Sequence, residues 1–198
     1  MKINHVCEEL QKLFRLIILE NECSGNESHA YKFSDPDGKN GRSGWSFGIC
    51  QYDINFNANA LSALREMSFT TDEVAALKRQ DADMKAMDTK LRAHSGIVDE
   101  WDRRQLDDCI YWSLKLCEEI NVDFSKLETF VHIADYENQM RFSRGGKLYQ
   151  YLKGIKEPVT PVMILGFKLN QTEWGKKRAD DVERRYRNIQ KLTTIESC

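Results

Sequence analysis

Glu20, Glu22 and Glu27 lie close together where an apolar stretch gives way to turn residues. Taken singly, each glutamate reads as a solvated surface charge. Their clustering at the end of an apolar helix is different, because a carboxyl there is suited to donate a proton as a general acid. Glu22 leads, since it follows Phe14 and Ile18 at four-residue spacing and shares their helix face. Glu20 lies one turn beyond Leu16 and Ile17, and Glu27 lies past the Ser24-Gly25 break on a loop or a second short element. Tyr31, Asp35, Asp37, Ser46, Gln51 and Asp53 follow within the same stretch and supply the hydroxyl, amide and carboxylate groups that could complete a site.

The elements that must position these groups are legible in outline. Val6, Leu10, Leu13, Phe14 and Ile17 recur at spacings of three and four, which predicts an amphipathic helix over 4–22. Cys23-Ser24-Gly25-Asn26 ends it. Asp35-Pro36-Asp37-Gly38 and Asn40-Gly41 are turn signals, and 45–53 carries β-prone aromatics around Gly48. This stretch reads as an irregular hairpin. Strand alternation puts Gln51 and Asp53 on one face and Ser46 on the other, so a bulge or turn near Gly48 must bring Ser46 round. Gly48 among aromatics points to a close backbone approach.

From Asn57 onward the pattern is helical, over 59–67, 71–79, 83–94, 98–120, 125–142, 147–152, 161–169 and 173–192. Thr70-Thr71-Asp72-Glu73 fits a capping box. Ser143-Arg144-Gly145-Gly146 and 154–161 are breaks. The fold class is α+β, mostly α, in one domain, with the β-containing part over about residues 23–56 and the helical part over about 57–198.

The 198 residues suffice for one compact domain, and 41% hydrophobic with 30% charged residues is an ordinary globular composition. A net charge of −2 gives no electrostatic footprint for nucleic acid. The run Leu16-Ile17-Ile18-Leu19 is too short for membrane insertion. Met1-Lys2-Ile3-Asn4-His5 leads into Glu8 and Glu9 rather than an apolar run, so no signal peptide is read and synthesis in a reducing cytoplasm is expected. None of the six cysteines is spaced as Cys-x-x-Cys, which argues against a zinc site, and no cofactor is expected. Cys109 and Cys117 read as small core residues, and Trp101, Trp112 and Phe130 as a core set. His5, His94 and His132 read as structural, and Lys176, Lys177, Arg178, Arg184, Arg185 and Arg187 as the solvated face of a basic late helix.

Two resemblances meet in residues 22–53. Glu22, Tyr31-Lys32, an Asp/Gly turn and Trp45-Ser46-Phe47-Gly48-Ile49 resemble the core of phage-type lysozymes. That match implies Glu22 as general acid, Asp35 or Asp37 as the hairpin aspartate, Ser46 as the residue positioning water, and Gln51 where the family often has histidine. Glu27-Ser28-His29-Ala30 followed by Phe47-Gly48-Ile49-Cys50-Gln51-Tyr52-Asp53 is similar to goose-type lysozymes and lytic transglycosylases. That match implies Glu27 as the acid, with Gln51 and Asp53 lining the sugar cleft. Both imply a lysozyme-like fold and a peptidoglycan substrate. Tyr31 joins Gln51 and Asp53 as a substrate-binding candidate. Trp45 and Tyr52 either stack on sugars or pack, and His29 either binds sugar or caps its loop. The implied protein is a monomeric muramidase of the endolysin kind, made in the cytoplasm and reaching the cell wall through a holin or secretion machinery. A lytic transglycosylase, or a non-catalytic glycan-binding or virion structural protein, are the alternatives.

Overall fold

The computed structural model describes residues 7–35, 38 and 43–195. Asp37, the Asn40-Gly41 turn, Val6 and His5 lie outside the described residues. Ten α-helices and one two-stranded antiparallel sheet are seen among the described residues, an α+β, mostly α architecture. The chain divides into two compact units, 18–105 and 1–17 with 106–198. The sequence had suggested a boundary near residue 57. The hairpin and the helices up to residue 105 form one unit, and Phe69, in the connection between the helices over 58–66 and 71–79, completes the aromatic cluster under the hairpin.

In unit 18–105, α1 (Glu8–Cys23) ends at a left-handed Ser24-Gly25 pair, with the Gly25 N–H bonded to the Leu19 carbonyl. A 3₁₀ turn (Glu27–His29) follows, capped by the Asn26 side chain. Strands β1 (Ser46–Phe47) and β2 (Tyr52–Asp53) pair Ser46 with Asp53 and Phe47 with Tyr52. The Ser34 main chain adds a bridge to Ser46. Then come α2 (Ala58–Glu66), α3 (Thr71–Arg79), α4 (Met84–Ala93) and the start of α5 (Ser95–Glu119). The capping box at Thr70 forms as read: its hydroxyl accepts from Glu73 N, and the Glu73 carboxylate accepts from Thr70 N. Phe33 stands edge-on to Phe47 at 5.6 Å and to Phe69 at 6.0 Å, and Phe47 meets Tyr52 at 5.5 Å. These rings are buried and form the floor beneath the hairpin.

In the other unit, α6 (Leu127–Met140) is buried continuously from Glu128 to Tyr136 and packs against α8 (Pro161–Gln171) and α10 (Ala179–Ile195). α7 (Lys147–Gly154) and α9 (Glu173–Lys177) complete it. The helix expected over 173–192 is interrupted. Arg178 leaves helical geometry, and Gly175 is so tight against the Lys168 carbonyl that a Cβ would stand 2.0 Å from its oxygen. The expected solvated basic face is corrected at Arg185, which is 2% exposed. The reason is a partner: Asp135 Oδ1 accepts from Arg185 at 2.6 Å, and Asp135 Oδ2 from Lys168 at 2.8 Å. Trp112 is likewise not core but 42% exposed, its ring edge-on to Tyr111, and Trp101 is half-buried with its Nε1–H on Glu66. Cys109 and Cys117 are buried as expected, and burial pushes both thiols far up.

His132 is buried and stacked on Tyr186 at 4.8 Å, with Nε2 3.7 Å from Glu128 Oε1. Burial, the leading cause, lowers its pKa below the ordinary 6.5 against the pull of Glu128. Below pH 6.5 the unfolded chain therefore takes up a proton that the folded one resists, and stability falls with pH. His132→Gln should flatten part of this decline. Melting temperatures of both proteins between about pH 5 and 7.5 test it, and identical slopes refute it.

Candidate active site

All described candidate residues belong to the unit of residues 18–105, except that α1 begins before it. The glutamates separate by environment. Glu27 is exposed on the 3₁₀ turn, whereas Glu20 and Glu22 are half-buried on the last turn of α1. Glu20 makes no hydrogen bond or ion pair among the described residues, and its Oε2 packs against the backbone of Gly25, where a Cβ would stand 2.7 Å away. The left-handed Gly25 thus both ends the helix and leaves room for the Glu20 carboxylate.

Glu20 also shares a helix face with Cys23, three residues on. Cys23 is buried, and the chain beyond it reaches the hairpin turn, where the Ala30 carbonyl accepts from Gly48 N at 2.9 Å. Burial first, then the nearby Glu22 and Asp102, push the Cys23 thiol up to about 12. Gln51 joins several elements. Its Oε1 accepts from the Ser34 hydroxyl at 2.8 Å and its Nε2 donates to the Gly48 carbonyl at 3.0 Å. Gln51 is not a strand residue, as alternation had implied. It sits in the 48–51 turn with φ 53°, so it does not share a strand face with Asp53. Ser46 stands directly opposite Asp53 in register, so of the expected bulge or turn near Gly48 it is a turn that brings it round. Ser46 is 4% exposed, and its hydroxyl makes no hydrogen bond among the described residues.

The aspartates are occupied. Asp35 Oδ1 accepts from Gly38 N at 2.9 Å and Oδ2 from Gln80 at 2.7 Å. Asp53 accepts from the backbone N–H groups of Gly44, Asn55 and Phe56. Both act as turn anchors in this arrangement. The Tyr31 hydroxyl donates to Asp99 at 2.7 Å. The Tyr52 ring is fully buried and its hydroxyl donates to the Trp101 carbonyl at 2.6 Å, which removes it from sugar stacking. Trp45 is half-buried, and its Nε1 is enclosed with no acceptor among the described residues. His29 caps its loop, with Nδ1 3.2 Å from the Cys23 carbonyl oxygen and Nε2 3.3 Å from Asn26 Nδ2.

One residue of this site lies outside the sequence motifs. Asp102 on α5 accepts the backbone N–H groups of Ile49 at 2.9 Å and Cys50 at 3.1 Å. In Asp99-Glu100-Trp101-Asp102-Arg103-Arg104 it reads as one more solvated charge, and nothing local marks it. The close approach read at Gly48 is this contact: its φ is +74°, and a Cβ would stand 2.7 Å from Asp102 Oδ1. Gly48→Val should cost about 3 kcal/mol, from a β-branched residue at left-handed φ plus the clash, or roughly 6–12 °C in melting temperature. A valine variant melting like the parent would remove this account of the turn.

No family model, curated protein or solved structure matches the chain. Among the described residues no group of three or more His, Cys, Asp or Glu is placed to hold a metal ion, and no helix is long and apolar enough to cross a membrane.

Proposed function

We propose that this protein is a peptidoglycan hydrolase that cleaves the β-1,4 bond between N-acetylmuramic acid and N-acetylglucosamine, and that its α+β architecture is a lysozyme-like fold. The observation that carries this reading is that the segment after α1 is bonded to the hairpin turn, Gly48 N donating to the Ala30 carbonyl at 2.9 Å, while the last turn of α1 bears the half-buried Glu20 with no hydrogen bond or ion pair among the described residues. It brings the end of α1, with an unengaged carboxylate, up to the segment bonded to the hairpin, the setting that protonating a glycosidic oxygen over a bound sugar calls for. Glu20 is the acid in this proposal. Glu22, favoured by periodicity, and the exposed Glu27 are its competitors. Ser46, with a hydroxyl not committed elsewhere, would orient water, and Gln51 and Tyr31 would contact the glycan.

A lytic transglycosylase is the second reading, and one observation favours it. Asp35 and Asp53 are both held by turn hydrogen bonds, which leaves no disengaged hairpin aspartate among the described residues to serve as a second carboxylate. A transglycosylase needs one acid/base group, whereas hydrolysis with a carboxylate pair needs two. The test is digestion of purified cell walls with the purified protein, followed by mass spectrometry of the fragments. Reducing muramic ends identify the hydrolase, anhydromuramic ends the transglycosylase, and intact walls at every pH and dose refute both.

A further inference from the structure

The Gly48–Gln51 turn is held in a costly shape. Gly48 has φ +74°, and Gln51, a residue with a Cβ, has φ +53°. The bonds that impose it come largely from outside the turn. Gly48 N donates to the Ala30 carbonyl at 2.9 Å, and the next two N–H groups both donate to the Asp102 carboxylate, one to each oxygen. The Cys50 thiol adds a 3.8 Å contact to the Asp102 main-chain oxygen.

We propose that Asp102 is a positioning residue of the candidate site: its ionised carboxylate holds both N–H groups of the turn by charge-assisted bonds, and acidification weakens that hold and loosens the turn and, with it, Gln51. Each carboxylate oxygen accepts one N–H, and protonation turns one of them into a hydroxyl, a much poorer acceptor, so the bond on that oxygen weakens. The loosened turn relaxes Gln51 from its left-handed conformation and withdraws its side chain from Ser34.

The surroundings of Asp102 set where this happens. No cation pairs with it among the described residues. The groups facing it are Asp99 one turn earlier on α5, the Cys50 thiol of the turn and the Cys23 thiol of α1. Burial pushes the carboxyl up to about 6, with Asp99 adding to the shift and the two backbone N–H bonds opposing it. Between the ordinary 3.8 and about 6 the folded state holds a proton that the unfolded state lacks, so this group stabilises the fold as pH drops. The loosening is therefore a local rearrangement and not an unfolding step. Gln51 bears on glycan cleavage only through the function proposed above, whereas the turn is testable without it.

Amide NMR spectra of the whole chain between about pH 5 and 8 decide the matter. The Ile49 and Cys50 amides and the Gln51 side-chain amide should shift together with one midpoint near 6. In Asp102→Asn the same signals should stay flat and resemble the parent at low pH, and the Ile49 or Cys50 amide should exchange with solvent at least about tenfold faster. Signals that do not move with pH in the parent, or that titrate unchanged in Asp102→Asn, overturn the proposal. Wall digestion supplies the second arm. The parent should lose activity on the acid side with the same midpoint, and Asp102→Asn should lack that limb and digest several-fold more slowly at neutral pH. Titrating amides with no digestion at any pH would refute the proposed function and leave the role of Asp102 in the turn standing. Digestion with amides that do not titrate would do the reverse.

Discussion

Replacing Glu20 by glutamine should abolish wall digestion while leaving the melting temperature within about 2 °C of the parent. Glutamine keeps the length and shape of the side chain, so it still fits against Gly25. It removes no hydrogen bond or ion pair, because Glu20 makes none among the described residues. What it loses is the transferable proton, and general-acid catalysis of this kind is worth about a hundredfold or more. Glu22→Gln and Glu27→Gln, tested beside it, should retain most of the activity. Gly25→Ala is the companion variant. Its Cβ would displace the carboxylate at 2.7 Å, so activity should fall even though Glu20 is intact. A Glu20→Gln protein that digests walls normally while Glu22→Gln is inactive would restore the phage-type assignment. An inactive Glu27→Gln with the other two active would favour the goose-type one.

The largest loss of stability is expected at Asp135. It is fully buried and faces two cations, Lys168 and Arg185, that are themselves almost fully buried. Burial pushes its carboxyl up, but the Arg185 guanidinium and the Lys168 ammonium outweigh that and hold it below the usual carboxylate range. The Gln139 amide, turned with its oxygen toward the guanidinium, accepts from Arg185 at 2.8 Å. Asp135→Ala strands both cations in a low-dielectric interior, at a cost of about 3–5 kcal/mol. That is a large share of the stability of an ordinary domain. Lys168→Met should cost much less, since it leaves the Asp135–Arg185 pair matched one to one and the methionine fills the same space. Urea midpoints with matched slopes measure the difference. A loss below about 1 kcal/mol for Asp135→Ala would mean that the cluster is solvated or rearranges freely.

Most of the helices could be read from the sequence because their causes are local. The Thr70/Glu73 capping box, the helix-ending Ser24-Gly25 and the three- and four-residue spacing of Leu10, Leu13, Phe14 and Ile17 act within a turn or two of chain. The hairpin was legible from its aromatics, and the constraint at Gly48 from a glycine where a packed side chain would be expected.

Partners distant in sequence are another matter. Arg185 and Lys168 look like surface cations until Asp135 is found between them, and the cluster spans 33 and 50 positions of chain. Asp102 looks like one charge in an acidic-basic run until it is found under the turn 52 and 53 positions earlier. Among the glutamates, periodicity favoured Glu22 because it follows an apolar stripe. The choice of Glu20 rests on its half-buried carboxylate, which packs on Gly25 and makes no hydrogen bond or ion pair among the described residues. The sequence by itself determined which residues form elements and which types are available for acid chemistry, since propensity, capping and turn formation are decided by near neighbours. Tertiary structure alone decided which carboxylates are engaged and which are not. Burial and hydrogen-bond partners are properties of residues brought together by folding, and no local pattern encodes them.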